Sequence, residues 1–328
     1  MTTAATTAAV FPGQGSQTVG MLADIAPAHP QVGDTFAEAA SVLGIDLWTL
    51  SQSGPAEALA DTRVTQPLMF TADIALWRSL RSAGMPMPGA VAGHSLGEFA
   101  ALVACGALDF AAGLALVKRR AELMATAVPD GEGGMAAVIG ADDETVIAVC
   151  KEISAARTDG HTVEAVNFNA PGQVALSGHL DAVEAACELA RERGARRAML
   201  LPVSVPNHSS LMRDAGAELE AAIDAAQWQE PQCSIVQNAQ ASAPASLEAL
   251  VTSLKSHVFS PVRWTASIEA LRDSHGVTRL VECGPGKVLT GLSRRIDKQL
   301  PCLPTDTAEG LDAALEVLST QQTAGSEA

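Results

Sequence analysis

Tyrosine is absent from this chain of 328 residues, and aromatic side chains make up only 3% of it. Hydrophobic residues still account for 48%, so the core must be built from Ala, Val and Leu. Basic residues are scarce: 21 Lys and Arg stand against 37 Asp and Glu, a net charge of −16. That balance argues against general nucleic-acid binding and against docking on an anionic membrane. No C-x-x-C spacing occurs among Cys105, Cys150, Cys187, Cys233, Cys283 and Cys302. Neither a zinc site nor a redox pair is therefore indicated, and the thiols read as buried groups of a reducing cytosol. No apolar run is long enough to span a bilayer. The Thr/Ala-rich start, Met1 to Ala9, lacks the basic opening of a signal peptide. A cytoplasmic protein is expected. The length suits one large domain with an insertion, or two domains.

What is present centres on Gly93-His94-Ser95-Leu96-Gly97. A short apolar run, Ala90-Val91-Ala92, leads in, and an amphipathic helical pattern, Glu98 to Cys105, leads out. In strand–turn–helix context G-x-S-x-G is a nucleophile elbow. The glycines let strand and helix backbones crowd together, and the serine projects its hydroxyl from the sheet edge. It also sits at a helix N-terminus, where free N–H groups favour developing negative charge.

Elsewhere the main body alternates strands and helices. Strands are expected at Ala8–Phe11, Ser234–Gln237 and Leu280–Cys283. Helices are expected at Val32–Leu43, Pro55–Ala60, Leu68–Ser82, Phe110–Ala127, Leu211–Ala226, Leu247–Val258, Leu289–Ile296 and Leu311–Leu318. This alternation predicts a parallel sheet covered on both faces. From Gly133 the pattern changes. Met135–Ile139, Asp142–Ser154, Val163–Phe168, Val174–Ser177, Leu180–Arg193 and Ala198–Val203 read as β-α-β-β-α-β, the ferredoxin-like unit. The predicted organisation is a large subdomain from 1–131 and 203–318, a small inserted one at 132–202, and a disordered tail at 319–328.

An activated serine needs a base, an oxyanion hole and a group that selects substrate. His94 adjoins Ser95 but leaves the elbow on another heading, and His29, His161, His179 and His275 lie in polar, turn-like contexts. His208 and His257 remain. No acid-then-histidine pair stands out near the C-terminus, so a Ser–His dyad is more economical than a triad. Arg120 falls on the flank of the buried stripe Leu114, Val117, Ala121 and Met124, whereas Lys118 and Arg119 should face water.

Phe11-Pro12-Gly13-Gln14-Gly15-Ser16-Gln17, the elbow with Glu98, Asn167 to Gln173, Val205-Pro206-Asn207-His208, Pro261 to Trp264 and Gly284-Pro285-Gly286-Lys287 occur in that order. Together they resemble the malonyl-CoA:acyl-carrier-protein transacylase family of bacterial type II fatty-acid synthesis, over residues 8–318. The resemblance implies an α/β fold: an α/β-hydrolase-like large subdomain with a parallel sheet, plus an inserted ferredoxin-like small subdomain. It implies Ser95 as nucleophile, His208 as general base, and the backbone N–H groups of Gln14 and Leu96 as oxyanion hole. Arg120 would hold the malonyl carboxylate, Gln66 and Asn167 would be polar pocket positions, and the carbonyl of His257 would orient His208. Two positions depart from the family pattern: His257 stands where Gln is usual, and Asn207, bordering the acyl pocket, where Ser is usual. The implied reaction moves malonyl from malonyl-CoA to an acyl carrier protein through a malonyl-seryl ester. Malonyl-CoA is then a substrate and no cofactor or metal is expected. The carrier would be met by a local basic patch drawn from Arg294, Arg295, Lys298, Lys287, Arg196 and Arg197, and the protein is expected to act as a monomer. A trans-acting polyketide acyltransferase and a serine esterase are the competing readings; Arg120 counts against the esterase.

Overall fold

The computed structural model describes residues 7–325. Among the described residues nine strands form two sheets. In chain order they are β1 (Thr7–Phe11), β2 (Ala90–Gly93), β3 (Gly133–Ile139), β4 (Val163–Ala170), β5 (Gln173–His179), β6 (Arg197–Leu200), β7 (Ser234–Val236), β8 (Arg279–Glu282) and β9 (Cys302–Pro304). The larger sheet runs β7-β2-β1-β8-β9, with every neighbour parallel. Its central strands β1 and β2 are buried on both faces. Ala9, Phe11, Val91 and Val281 pack against Leu68, Phe70, Ile74 and Leu114 on one side. Ala8, Val10, Ala90, Ala92 and Leu280 pack against Trp264, Ile268 and Leu289 on the other. Small residues on β1 and β2 let helices approach closely, which is how so few aromatics fill the core.

From the central strand β1 the chain moves to β2 on one side and, later, from β7 to β8 on the other. Such a reversal leaves a crevice at the carboxyl ends of the strands. The smaller sheet, β4-β5-β3-β6, is antiparallel throughout. Two helices, Asp143–Ala156 and Leu180–Glu192, share one buried cluster with its inner residues. Met135, Val166 and Ala175 occupy the opposite face with Leu201 and Val203. The sheet is stitched to the large body where Phe168 N–H donates to the Val262 carbonyl at 2.9 Å and Val262 N–H to that of Val166 at 2.8 Å.

Several expectations are corrected. The helix expected from Leu68 begins at Thr62, capped by Asp61, whose side chain accepts from Arg63 N–H, and carries Pro67 inside it. Proline lacks an N–H, so only the carbonyl four residues back loses its helical donor, and that residue, Arg63, is exposed. The strand expected at Ala198–Val203 is β6, an exposed edge strand of only four residues. The helix Leu247–Val258 closes at Lys255, and a 3₁₀ turn, His257–Phe259, follows. Helix Leu47–Ser53 and strand β9 were not expected. The tail expected to be disordered is helical as far as Gly325, since Gln and Ala favour a helix and no Gly or Pro intervenes. Residues 1–6 and 326–328, which hold the rest of the Thr/Ala-rich start and of that tail, lie outside the described residues. No helix of the described residues is long and apolar enough to cross a membrane.

Candidate active site

The site lies in the crevice beyond β1 and β2. Strand β2 ends at Gly93, and the helix Gly97–Ala104 starts four residues later with Leu96 at its cap. A Cβ on Gly93 would lie 1.9 Å from the carbonyl carbon of Gly97, and one on Gly97 2.1 Å from the Phe11 oxygen. Only hydrogen fits at either position. Between them Ser95 takes φ 51°, a left-handed backbone that is rare away from glycine. The elbow geometry expected from the sequence is therefore present.

Gly13 comes so near the elbow that a Cβ there would sit 2.8 Å from the His94 oxygen. The same Cβ would lie 3.8 Å from Leu96 N, so the loop that carries Gln14 runs against the elbow. The Gln14 side chain is held by Thr62, whose hydroxyl donates to Oε1 at 3.2 Å. Among the described residues, neither Gln14 N–H nor Leu96 N–H donates to a protein acceptor. Two free amides at a loop and a helix N-terminus are the donor pair an oxyanion requires.

His208 comes from the loop after the small subdomain, in the left-handed region at φ 65°. Its N–H donates to the Val258 carbonyl at 3.0 Å. It is buried rather than an exposed loop residue. Its Nε2 lies 2.6 Å from Ser95 Oγ. Its Nδ1 faces two carbonyls, that of His257 at 3.1 Å and that of Ser260 at 3.0 Å. Carbonyls only accept, so Nδ1 carries the proton and Nε2 is free to accept from the Ser95 hydroxyl. Burial, with Arg120 and His94 nearby, pushes His208 down to about 3, against the pull of the two carbonyls. The ring is neutral at physiological pH.

Arg120 reaches the same hydroxyl from the helix Phe110–Ala125. It is 1% exposed. Its Nη2 is 3.1 Å from Ser95 Oγ, and its Nη1 donates to Gln66 Oε1 at 2.5 Å. Gln66 is steadied in turn by Thr62, 3.0 Å from its Nε2. Among the described residues no carboxylate pairs with Arg120, and its Nε has no partner. Burial pushes the guanidinium down to about 9, opposed by the field of Glu98. It stays cationic at neutral pH without a direct counter-ion.

The cavity over Ser95 holds about 220 Å³ and is lined by Gln14, His94, Asn167, Asn207 and His208, with an apolar wall including Met135, Val203 and Leu289. The face of the small sheet that carries Met135 and Ala175 thus forms its roof. A register shift in β4 between Ala165 and Asn167 breaks the strand's alternation, a common way of re-aiming a side chain. The Oδ1 atoms of Asn167 and Asn207 are buried without partners among the described residues. Asn207 Nδ2 meets Met135 Sδ at 3.5 Å.

The structure brings Ser95, His208, Gln14, Asn167 and Asn207 to one cavity, sets Arg120 and Gln66 in the buried layer beside Ser95, and has His257 contribute its carbonyl; the basic-patch candidates do not line the cavity. It also adds residues that reasoning along the chain passed over. His94 Nε2 lies 2.7 Å from Asn169 Oδ1, tying the elbow to the hairpin of the small subdomain. Ser260 supplies the second carbonyl to His208, and Asn238 accepts from Ser95 N–H at 2.7 Å. The quoted motifs included Asn169 and Glu98, a signal that could have marked them; nothing in the local sequence marks Ser260 or Asn238.

A strained serine, a neutral histidine held by carbonyls and a pair of free amides define a serine acyl-transfer site on an α/β fold. The family described as "Acyl transferase domain" matches residues 9–294. The malonyl CoA-acyl carrier protein transacylase of Escherichia coli K12 is 46% identical over 308 residues, 94% of this chain and 98% of that protein. That of Bacillus subtilis is 38% identical over 309 residues, 94% and 96% of the two chains. Among solved structures, the malonyl-CoA:acyl carrier protein transacylase of Xanthomonas oryzae superposes with a TM-score of 0.91 at 46% identity, over 95% of this chain and 98% of the other. A malonyl-transacylase in complex with its type II polyketide acyl-carrier protein superposes with a TM-score of 0.91 at 44% identity, over 94% and 99%. The chain belongs to the acyl transferase family, within its malonyl CoA-acyl carrier protein transacylases.

Proposed function

We propose that this protein transfers malonyl from malonyl-CoA to the phosphopantetheine thiol of an acyl carrier protein. The observation that carries the reading is Arg120: a buried cation with no paired carboxylate among the described residues, 3.1 Å from the Ser95 hydroxyl. A carboxylate arriving there gains a charge-assisted, bidentate bond. An uncharged acetyl group leaves the guanidinium buried and unpaired. A serine esterase would want an apolar floor in that place.

In the first half-reaction Ser95 Oγ attacks the thioester carbonyl while its proton passes to His208 Nε2. The amides of Gln14 and Leu96 stabilise the tetrahedral oxyanion, an effect of about 3 kcal/mol per donor. The C–S bond breaks, and His208 returns the proton to the leaving CoA sulfur. In the second half-reaction the carrier's thiol gives its proton to His208 and attacks the malonyl-seryl ester. Ser95 then leaves and is reprotonated. The order is ping-pong, and the chemistry calls on no cofactor. Asn207 and Asn167, each with an unpartnered oxygen, border the acyl group and tune tolerance for a branched malonyl.

The carrier is met along the helix Val288–Ile296, whose Val288, Leu289 and Leu292 line the cavity and whose last turn carries Arg294 and Arg295, with Lys298 two residues past its end. Similarity to a transacylase solved with a polyketide carrier favours a second reading, in which the same half-reactions load a polyketide carrier. The protein works as a cytoplasmic monomer in either case.

Incubation with malonyl-CoA is expected to add one malonyl unit to the intact protein, on Ser95. Ser95→Ala abolishes it. An adduct that persists on the Ala variant overturns the nucleophile assignment. Competition between malonyl-, methylmalonyl- and acetyl-CoA, read by intact mass, sets the acyl selectivity. Fatty-acid and polyketide carriers offered side by side to the malonyl-enzyme decide between the two pathways.

A further inference from the structure

Behind the elbow, on the side away from the cavity, lies a closed ring of buried polar groups. Asn238 follows strand β7, the neighbour of β2 in the sheet. Its side-chain Oδ1 accepts from Ser95 N–H at 2.7 Å, and its Nδ2 donates to the Gly93 carbonyl at 2.5 Å. One side-chain amide therefore spans the two ends of the turn that carries the serine. Asn238 is itself pinned on its main chain. Its N–H donates to Glu98 Oε2 at 2.7 Å, and its carbonyl accepts from Arg263 N–H at 3.1 Å. Glu98 lies in the first turn of the helix that begins at the elbow, and its Oε1 accepts from Gln237 Nε2 at 3.2 Å. The ring thus runs from Ser95 through that helix turn to Glu98, across to Asn238, and back to Ser95. Glu98 is 1% and Asn238 2% exposed.

We infer that Asn238, fixed by Glu98, is a positioning residue that clamps the Ser95 elbow in its left-handed conformation and draws the Ser95 amide away from the reacting carbonyl oxygen. The inference rests on Ser95 being the nucleophile. A left-handed serine is disfavoured on its own backbone and persists only where its surroundings over-determine it. Here the surroundings supply one acceptor and one donor at the spacing of Ser95 N–H and Gly93 C=O. With the Ser95 amide committed, those of Leu96 and Gln14 remain as free donors beside it. Without the clamp the turn can relax, and a small displacement of Oγ relative to His208 Nε2 costs rate rather than substrate affinity, because among the described residues Arg120 and Gln66 make their hydrogen bonds to groups other than Asn238.

The charged and titratable groups around the ring are few. His257 Nε2 stands 3.8 Å from Glu98 Oε2, and Arg120 acts on Glu98 through its field. Burial pushes Glu98 up to about 7. Carboxylate or carboxylic acid, its oxygen still accepts from the Asn238 amide, so the clamp holds in both forms.

The test is single-turnover malonyl-enzyme formation on the full chain, with the adduct mapped by peptide mass. Asn238→Leu, close in volume, is expected to slow acylation by ~100-fold while the KM for malonyl-CoA stays within about threefold. Glu98→Leu, which leaves Asn238 in place but unpinned, should slow acylation by ~10-fold or more, and Glu98→Gln, which keeps an accepting oxygen, should recover most of that loss. If Asn238→Leu does not fold, Asn238→Ala, which adds no volume, gives the same reading. A folded Asn238 variant that acylates within about threefold of the parent overturns the proposal. So does one that lowers melting temperature while its folded fraction keeps the parental kcat, since that marks a purely structural role. Mapping of the parental adduct to a residue other than Ser95 would instead sink the nucleophile reading on which the inference stands.

Discussion

Arg120 donates from Nη1 to Oε1 of Gln66 at 2.5 Å, a bond between two buried helices that leaves the other terminal nitrogen of the guanidinium directed at Ser95 Oγ. In the proposed reaction Gln66 would act on substrate through this bond. Losing Arg120 removes the cation; losing Gln66 leaves the cation free to turn.

The two substitutions should therefore differ in kind. Arg120→Ala is expected to lower kcat/KM for malonyl-CoA by ~100-fold or more, the scale of a lost charge-assisted pair, and to raise the use of acetyl-CoA relative to malonyl-CoA. Gln66→Ala should cost about tenfold while preserving malonyl preference, because the charge remains. Competition assays read by intact-protein mass check both. Unchanged selectivity in Arg120→Ala would remove Arg120 from the carboxylate site.

The pH dependence of acylation follows from the environment of His208. A base is active when neutral, so activity is present above its folded pKa and lost as pH falls through it. Burial and Arg120 hold His208 near 3, far below the ordinary histidine value. Malonyl-enzyme formation measured between pH 8 and 5 should thus show no acid limb near 6.5. A limb centred there would mean that the histidine is solvated in the working enzyme.

His257 makes a stability prediction. Burial of its ring, with Arg120 and His208 nearby, holds it well below the usual histidine value, against a smaller pull from the Ser95 backbone. Between about 6.5 and that lowered value the unfolded chain binds a proton here and the folded chain does not. The folded state therefore loses stability as pH falls through this window. His257→Gln lacks the group, so its stability relative to the parent should rise as pH drops from 7 to 5. Urea melts at several pH values measure this, and a pH-independent difference would contradict it.

Gly97→Ala tests the elbow as a packing device. The added Cβ would lie 2.1 Å from the Phe11 oxygen and 2.7 Å from that of Pro12, both main-chain atoms. Backbone cannot swing aside as a side chain does, so destabilisation of about 4 kcal/mol or more is expected, with loss of soluble protein or a sharply lowered Tm.

The carrier patch is tested on binding alone. Arg294→Glu with Lys298→Glu should raise the KM for carrier protein by ~10-fold, more at low salt than at high, and leave malonyl-enzyme formation from malonyl-CoA unaltered. An unchanged carrier KM at low salt would place docking elsewhere.

Much of this site could be read along the chain because its chemistry is local. The elbow needs two glycines around a serine between a strand and a helix, and a five-residue window holds all of it. The ferredoxin-like insert announced itself by its alternation of periods, and Arg120 by its place on a helical stripe. Short elements escaped. Helix Leu47–Ser53 and strand β9 carry too few residues for a period to show, and Pro67 concealed the first turn of the helix that bears Gln66.

What the residues alone indicated was therefore the elbow serine, an arginine on the flank of a buried helical stripe and the order of layers, since each follows from neighbours a few positions apart; the role of Arg120 came from the resemblance. Which histidine serves Ser95 was open on the residues themselves and was narrowed to His208 by resemblance. The contact at 2.6 Å, across 113 positions, exists because the fold closes the loop after the small subdomain onto the elbow. The same holds for Asn238, 143 positions from the serine whose amide it accepts. A buried polar group must find a partner wherever the fold provides one. No local pattern in the chain records where that partner will be.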